Sequence, residues 1–226
     1  MQTSSRYYRH FKEAGVVTSA GFTLIEMMVV VGIMLLMTVV VLVKSSQFNG
    51  SILLRGLASQ IGLSLREAQL YGVSTKQTSV GGSFNAAYGV HFDVLALASP
   101  GGSYILFADM NTNGIYDTGD LDVKSFKLPN GFKISSVCIK VSSNYTCSAS
   151  CPTGISCTSG QPSTIRKLDV SFIRPNPSAI FKVKNSAGSV TLNGSTDVIL
   201  VVSPPSNSTT PARRVFISST GLISIQ

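Results

Sequence analysis

Three stretches of the chain differ in how hydrophobic and polar positions alternate, and each stretch predicts a different element. Residues 22–43 are almost all apolar, and the polar side chains among them belong to Thr23, Glu26 and Thr38. About twenty-two such residues are enough for an α-helix to cross a hydrocarbon core of roughly 30 Å. We therefore predict a transmembrane helix over residues 22–43.

Beyond Lys44 the apolar positions recur every three or four residues, which is the period of one face of an amphipathic helix. The predicted buried stripe consists of Leu54, Leu57, Ala58, Ile61, Leu65 and Ala68. Gly72 follows Tyr71, and glycine is a typical residue just past the end of a helix. The pattern predicts one long helix from Phe22 to about Tyr71, whose second part, residues 44–72, packs against a globular domain.

From about Ser74 the helical period gives way to short alternating segments, separated by clusters of Gly, Pro, Asn and Ser. Such segments are typical of antiparallel strands. The predicted strands are Ala87–Leu97, Tyr104–Ala108, Leu121–Leu128, Phe132–Val141, Leu168–Ile173, Ile180–Lys184, Val198–Val202, Val215–Ser218 and Leu222–Ile225. Residues 73–226 are enough for one independent core. The predicted fold class is α+β, a long N-terminal helix packed on an antiparallel, β-sandwich-like domain.

The junction before the apolar run carries unusual chemistry. The preceding polar segment holds Arg6, Arg9 and Lys12 against Glu13, and basic residues keep that end of a membrane segment in the cytoplasm. Glu26 then stands near the start of the apolar run. An ionisable group within a bilayer costs on the order of 2.5–3.5 kcal/mol on insertion scales, so it usually has a function and a partner.

The sequence Gly21-Phe22-Thr23-Leu24-Ile25-Glu26 resembles the class III signal of type IV prepilins and type II secretion pseudopilins. The resemblance implies that residues 1–21 are a leader, which a prepilin peptidase removes by cleaving after Gly21 before it methylates Phe22. The chain would then be held in the inner membrane by a single span, with its C-terminal domain in the periplasm. The alternative is an ordinary signal anchor that contains a glutamate by chance.

The same resemblance assigns a role in assembly to the retained helix. In pilin-like filaments the helix leaves the lipid and packs against its copies in the filament core. Glu26 would then pair with the positive N-terminal amine, on Phe22, of a neighbouring subunit. A buried carboxylate needs such a partner, and the amine offers it a charge-assisted hydrogen bond.

The body of the chain resembles the GspH/FimT family of minor pilins and pseudopilins. The resemblance rests on the β-rich domain, on an acidic loop at 109–120 and on a closing stretch that runs from Arg213 to Gly221. It implies that the C-terminal half of the helix packs on two β-sheets. It also implies a structural subunit of a type IV pilus or of a type II secretion pseudopilus, with other pilin-like subunits as partners.

The acidic loop has the spacing of a twelve-position calcium loop, with Gly114 at the sixth position, where a sharp turn is required. Its predicted ligands are Asp109, Asn111, Asn113, the backbone carbonyl of Ile115, Asp117 and Asp120. The alternative is a hairpin turn with Asx-turns around it, because strand-like segments flank the loop on both sides. Calcium is the one candidate cofactor, and none is required for a structural role.

Four cysteines lie close together in a segment rich in Ser, Thr and Gly: Cys138, Cys147, Cys151 and Cys157. An even number of cysteines in an extracytoplasmic domain predicts two disulfides, and three pairings are open. The alternative is a zinc site, which would require four thiolates in a reducing compartment.

Net charge raises the question of nucleic-acid binding. The formal charge is +8, and about +6 without the leader, so a basic surface could attract phosphate. Some FimT-like minor pilins are DNA receptors with arginines in a terminal G-R-x-R segment, whereas the matching residues here are Gly221-Leu222-Ile223-Ser224. Arg213 and Arg214 are the candidate DNA contacts. No arrangement typical of an enzyme is found, and His91 is the one histidine outside the leader.

Overall fold

The computed structural model describes the chain from residue 21 to residue 226 with short gaps. The described residues are 21–74, 76–78, 82, 84–129, 131–141, 143–149, 151–157, 165–185, 188–191, 195–206 and 210–226. The structure describes the side chains of these residues except at 43–49, 141, 189–191 and 195–196. The chain divides into two compact units, Met1–Lys44 and Ser45–Gln226, and the boundary falls within the first helix.

Helix α1 extends over Leu24–Val73 and contains 50 residues. Its N-terminal part, Leu24–Leu42, has a mean hydropathy of 2.7, and none of it is buried within the structure. Among the described residues it is the one helical segment that is long and apolar enough to cross a membrane. The sequence dictates this because every turn between the charges of Glu26 and Lys44 is apolar.

The second unit contains a short helix, α2, over Val94–Leu97, and two antiparallel sheets. Its described strands are β1 Ala87–Asp93, β2 Ser103–Asp109, β3 Leu121–Lys127, β4 Lys133–Val141, β5 Asn144–Cys147, β6 Lys167–Phe172, β7 Ala179–Asn185, β8 Gly188–Thr191, β9 Ser195–Ser203, β10 Arg213–Ser218 and β11 Ile223–Ile225. The six-stranded sheet has the order β3-β2-β1-β6-β7-β8 and the five-stranded sheet the order β11-β10-β9-β4-β5. An apolar helix followed by two antiparallel sheets confirms the predicted α+β class.

The core of the second unit lies between α1 and the inner faces of both sheets. All six positions of the predicted helical stripe are at most 3% exposed, as the period of three and four residues predicts. They share one hydrophobic cluster with alternate residues of the strands, such as Val90 and Phe92 of β1 and Leu200 and Val202 of β9. The intervening strand residues therefore face away from α1, and we call these the outer faces of the sheets.

Gly72 does not end α1, because the helix continues to Val73 and a turn follows at Ser74. Its role is close packing: a Cβ atom on Gly72 would lie 2.4 Å from the carbonyl oxygen of Phe172 in β6. The prediction of a C-cap at Gly72 is therefore wrong. A helical period in the sequence cannot reveal that the backbone of a strand, here β6, approaches this position of the helix.

The predicted strand Ala87–Leu97 is wrong in its second part. Asp93 ends β1 and caps α2, since its Oδ1 accepts hydrogen bonds from the backbone N–H groups of Leu95 and Ala96, both at 3.1 Å. An aspartate in this position competes with the strand for backbone donors. Strands β5 and β8 were not predicted, because each has four residues with little apolar alternation.

Candidate functional site

The residues around the predicted cleavage point form a helix start. Thr23 precedes α1, and its Oγ1 accepts a hydrogen bond from the backbone N–H of Glu26 at 3.3 Å. Its carbonyl oxygen accepts the N–H of Met27 at 3.2 Å. Thr23 is thus the N-cap and Glu26 the third helical residue, the spacing of a capping box. Phe22 is 74% exposed, and residues 1–20 of the predicted leader lie outside the described residues.

Glu26 is exposed, and within the described part of the chain it forms no ion pair. A carboxylate in the first turn interacts favourably with the N-terminal end of the helix dipole. That interaction accounts for an acid at this position in any helix. It does not account for an acid in a segment that has no other charged side chain from Phe22 to Leu42. The predicted pairing of Glu26 with a neighbouring subunit's amine stays a prediction.

The acidic loop connects β2 to β3, and its side chains bind its own backbone. Asp109 is fully buried at the end of β2; its Oδ2 accepts the N–H of Gly114 at 2.7 Å and its Oδ1 accepts that of Asn113 at 3.3 Å. Asp120 closes the loop from the other end, since its two carboxylate oxygens accept the N–H groups of Met110 at 3.0 Å and Asp117 at 2.9 Å. Gly114 has φ +79°, a conformation that favours glycine.

The asparagines link the two halves of the loop. Asn111 and Asn113 each use Oδ1 to accept the N–H of the residue two positions on, at 3.0 and 2.7 Å, which are Asx-turns. Their amide groups both donate to Oδ2 of Asp117, at 3.2 and 2.9 Å. These bonds, that from Asn113 most strongly, lower the pKa of Asp117. Burial raises the pKa of Asp109, and the hydrogen bond from Gly114 partly offsets this.

The loop presents the oxygen atoms that calcium prefers, and the internal hydrogen bonds hold the twelve residues in a closed turn. Its carboxylates stand apart, however. Within the described residues, ligand atoms of three His, Cys, Asp or Glu side chains lie within 4.8 Å of one another only at Cys147, Cys151 and Cys157. Calcium would therefore have to draw the carboxylates of Asp109, Asp117 and Asp120 together, and its binding stays a prediction.

The loop also covers the outer face of the six-stranded sheet. The ring of Tyr116 lies 4.7 Å from that of His91 and 5.3 Å from that of Phe107, between ring centroids. The hydroxyl of Tyr116 donates to Oδ1 of Asp122 at 2.7 Å. This hydrogen bond, with some burial, raises the pKa of Tyr116 to about 12. The side chain of Tyr116 thus anchors the loop to the sheet.

Sequence reasoning missed a buried pair beneath this loop. Nδ1 of His91 lies 2.5 Å from Oδ1 of Asp169, and both residues are at most 5% exposed. The register of β1 and β6 places them opposite each other, and the pairing of strands so distant in sequence leaves no local signal. Ser171 lies on the same outer face, but its Oγ has no hydrogen-bond partner among the described residues. In this structure Ser171 is therefore not hydrogen-bonded to the His91–Asp169 pair.

The four cysteines form two disulfides in the structure. Cys138 is bonded to Cys147 across the neighbouring strands β4 and β5, and Cys151 is bonded to Cys157 within the following loop. The sulfur atoms of Cys147 and Cys157 approach to 3.5 Å, so the two bridges lie side by side. The structure thus contains one of the three possible pairings. Because all four cysteines are in disulfides, none of them is a thiolate that could bind zinc.

Arg213 and Arg214 begin β10, near the disulfide loop. Arg214 donates from Nη2 to the carbonyl oxygen of Thr153 at 2.5 Å. Nε of Arg213 is buried and has no hydrogen-bond partner among the described residues. Both arginines line a cleft of about 490 Å³, so they are half-buried rather than displayed on an open ridge.

The structure therefore keeps the predicted functional residues in three separate places: the start of α1, the loop over the six-stranded sheet, and the cleft on the five-stranded sheet. Comparison of the chain with protein-family models, with curated proteins and with solved structures found no match. The function is accordingly inferred from the residues themselves.

Proposed function

We propose that the chain is a minor pilin or pseudopilin of the GspH/FimT type. A prepilin peptidase cleaves it between Gly21 and Phe22 and methylates Phe22, and the product is assembled into a type IV pilus or a type II secretion pseudopilus. The observation that carries the proposal is one carboxylate, Glu26, without an ion-pair partner in the described chain, at the start of an otherwise uncharged helix. In the filament a neighbour's amine supplies the missing partner.

The arrangement of the second unit supports the same proposal. The C-terminal half of α1 buries its apolar stripe against two antiparallel sheets, the pilin-like arrangement expected for this family. Before assembly, Leu24–Leu42 anchors the subunit in the inner membrane as a single span, and the β-rich domain lies in the periplasm. The function is structural, and its chemistry is packing rather than catalysis.

An assembly assay separates this role of Glu26 from its role in helix capping. The full chain is produced in cells that contain the peptidase and a filament system, and its amount in sheared filaments is measured. Glu26→Gln keeps a residue suited to the third position of a capping box but removes the charge. Thr23→Ala removes the capping hydroxyl, at a cost of about 1 kcal/mol, but keeps the charge.

The proposal predicts that Glu26→Gln is absent from filaments although it is made and cleaved, whereas Thr23→Ala is incorporated. Incorporation of Glu26→Gln at the level of the unmodified chain would contradict it. A greater loss with Thr23→Ala than with Glu26→Gln would assign Glu26 to capping alone.

We do not propose DNA binding as a second function. Duplex phosphates are bound by cations that extend into solvent, whereas Arg214 is held by the carbonyl oxygen of Thr153 and Nε of Arg213 is buried.

A further inference from the structure

The two disulfides are in direct contact through one sulfur atom of each. Sγ of Cys147, which is bonded to Cys138, lies 3.5 Å from Sγ of Cys157. Cys157 is in turn bonded to Cys151. Reacting atoms about 3–3.5 Å apart are close enough for attack. Two such disulfides can exchange partners once either of them is opened to a thiolate.

Strand β5 explains why Cys147 has a cysteine on each side. Along one edge β5 pairs with β4, and the register sets Cys147 opposite Cys138. Along the other edge the backbone N–H of Tyr145 donates to the carbonyl oxygen of Ser156 at 3.0 Å, and Tyr145 forms a β-bridge with Cys157. Because Tyr145 and Cys147 lie on the same face of β5, the sulfur atom of Cys147 lies between those of its two neighbours.

The exposure of the four sulfur atoms determines where a thiol from solution enters. Cys151 is exposed and Cys157 is half-buried, whereas the other two cysteines are at most 5% exposed. A thiolate therefore reaches Cys151 first, and its attack on that sulfur expels Cys157. The expelled thiolate is the one that already contacts Cys147.

The far end of the row can receive the negative charge. Attack of Cys157 on the sulfur of Cys147 expels Cys138, which is fully buried. Oγ of Ser136 lies 3.6 Å from Sγ of Cys138, and its hydroxyl can donate a hydrogen bond to a thiolate there. A buried thiolate is costly, so uptake of a proton by Cys138 completes the exchange.

Chain entropy does not strongly favour either pairing of Cys147. The present partner, Cys138, is separated from it by 9 positions in the sequence, and the alternative partner, Cys157, by 10. The entropy of loop closure depends on the logarithm of loop length, so the two disulfides contribute almost equally through this effect. We therefore expect the two pairings to be close in free energy.

We propose that the four cysteines form a relay that captures a low-molecular-weight thiol, such as glutathione, on Cys151. The incoming thiolate bonds to Cys151, and the Cys151–Cys157 bond breaks. Cys157 then bonds to Cys147, the Cys147–Cys138 bond breaks, and Cys138 takes up the proton that the incoming thiol released. No electrons are gained or lost, because two disulfide bonds and one thiol are present before and after the exchange.

The second exchange makes the capture persistent. While Cys157 is bonded to Cys147, it cannot attack Cys151 and expel the captured thiol. The relay lies in the five-stranded sheet and its loop, and it uses no residue of α1. It therefore stands or fails separately from the proposed assembly function.

The variant Cys151→Ser tests the exchange without any added thiol, since it leaves Cys157 without its disulfide partner. The full chain is kept in a non-ionic detergent, its free cysteines are alkylated, and its linked peptides are identified by mass spectrometry. We expect alkylated Cys138 and a Cys147–Cys157 peptide pair, in an amount within about tenfold of the original pairing, which is a difference of about 1.4 kcal/mol or less. Alkylation of Cys157 alone would overturn the proposal.

Cys157→Ser is the matched control, since it leaves Cys151 as the unpaired cysteine. Sγ of Cys151 lies 3.2 Å from the carbonyl oxygen of Ile155, to which its thiol can donate. We expect alkylation of Cys151 and an intact Cys138–Cys147 disulfide. Thermal melting shows that both variants are folded. Equal exchange in the two variants would overturn the proposal, because contact between sulfur atoms would then not decide the partner.

A time course on the unmodified chain tests the capture itself. The chain is mixed with an equimolar amount of glutathione, and samples are alkylated at increasing times. Cys151 should carry glutathione, and the alkylated residue should be Cys157 at the earliest times and Cys138 later. A label that remains on Cys157 throughout, or one that appears on Cys138 and Cys147 together, would contradict the relay.

Discussion

Gly72 of α1 and Phe172 of β6 are in such close contact that a Cβ atom on Gly72 would lie 2.4 Å from the carbonyl oxygen of Phe172 and 2.9 Å from its Cβ. The neighbour is backbone, which cannot rotate out of the way. This contact fixes the end of the helix against the six-stranded sheet.

Two glycine variants of α1 measure how much that contact matters. Gly72→Ala should lower the free energy of unfolding by about 1–3 kcal/mol, because the strand must shift to admit the methyl group. Gly56→Ala is the matched control: nothing lies within 4 Å of the added Cβ, and alanine should raise helix stability by roughly 0.5–1 kcal/mol. Urea unfolding of the full chain in detergent checks both. Equal effects would show that α1 does not pack on β6 in this way.

The buried hydroxyl of Tyr104 should make the free energy of unfolding depend on pH in alkaline solution. Its ring stacks on Phe92 and Phe126, at 5.4 and 5.0 Å between centroids, and its hydroxyl lies 3.3 Å from Oγ of Ser64 on α1. Burial raises the pKa of Tyr104 from 10.0 to about 12, although the hydrogen bond with Ser64 opposes this. Between these values the folded state binds more protons than the unfolded state, so stability should fall as pH rises.

The expected loss over that window is about 2–3 kcal/mol from this residue. Tyr104→Phe removes the ionisable group, so its stability should decline less between pH 10 and pH 12 than that of the unmodified chain. Denaturant unfolding at several pH values gives the comparison. A parallel decline of both proteins would contradict the assignment to Tyr104.

The two disulfides should differ in their access to reductant. Cys138 and Cys147 are at most 5% exposed, whereas Cys151 is exposed at the surface. Brief treatment with a mild thiol, followed by alkylation and peptide mass spectrometry, should label Cys151 and Cys157 first. Reduction of each disulfide should lower the free energy of unfolding by no more than about 2–4 kcal/mol. Earlier labelling of Cys138 would show that the strand pair β4–β5 opens before the loop does.

Thermal melting with and without calcium tests whether the acidic loop binds the ion. Because the loop's oxygen pattern fits calcium, millimolar calcium should raise the melting temperature of the full chain relative to a chelator, and magnesium should raise it less. Asp117→Asn should abolish that difference. Asp122→Asn, which lies outside the predicted ligand set and touches Tyr116, is the control. No calcium-dependent shift in the unmodified chain would leave only the Asx-turn interpretation.

Much of the fold follows from local periodicity. The stripe on α1 was predictable because residues three or four positions apart lie on the same face of a helix. The alternating strands were predictable because every second residue of a strand lies on the same face of a sheet. Asp93 shows where this fails: its side chain captures backbone N–H groups and converts the end of a predicted strand into α2. That competition is local, and an N-cap signature could have revealed it.

The nonlocal contacts could not be predicted. His91 meets Asp169 only because β1 pairs with β6 across most of the domain, and Cys138 faces Cys147 only because β4 and β5 are in register. The cleft at Arg213 arises in the same way, from strands and a loop distant in sequence. Chain order carries no signal for such pairings when each element is compatible with several partners.

Processing at Gly21 tests the central claim most directly. The full chain is produced with and without a prepilin peptidase, and the mass of its N-terminal peptide is measured. With the peptidase, the chain should begin at Phe22 and carry one added methyl group.

Gly21→Ala should block cleavage, while Gly32→Ala should be cleaved normally. An added Cβ meets nothing within 4 Å at either position, so neither variant acts by disturbing the folded chain. Cleavage before Phe22 with methylation is the result that the account predicts. A chain that keeps residues 1–21 in the presence of an active peptidase would contradict it and leave a membrane-anchored β-domain.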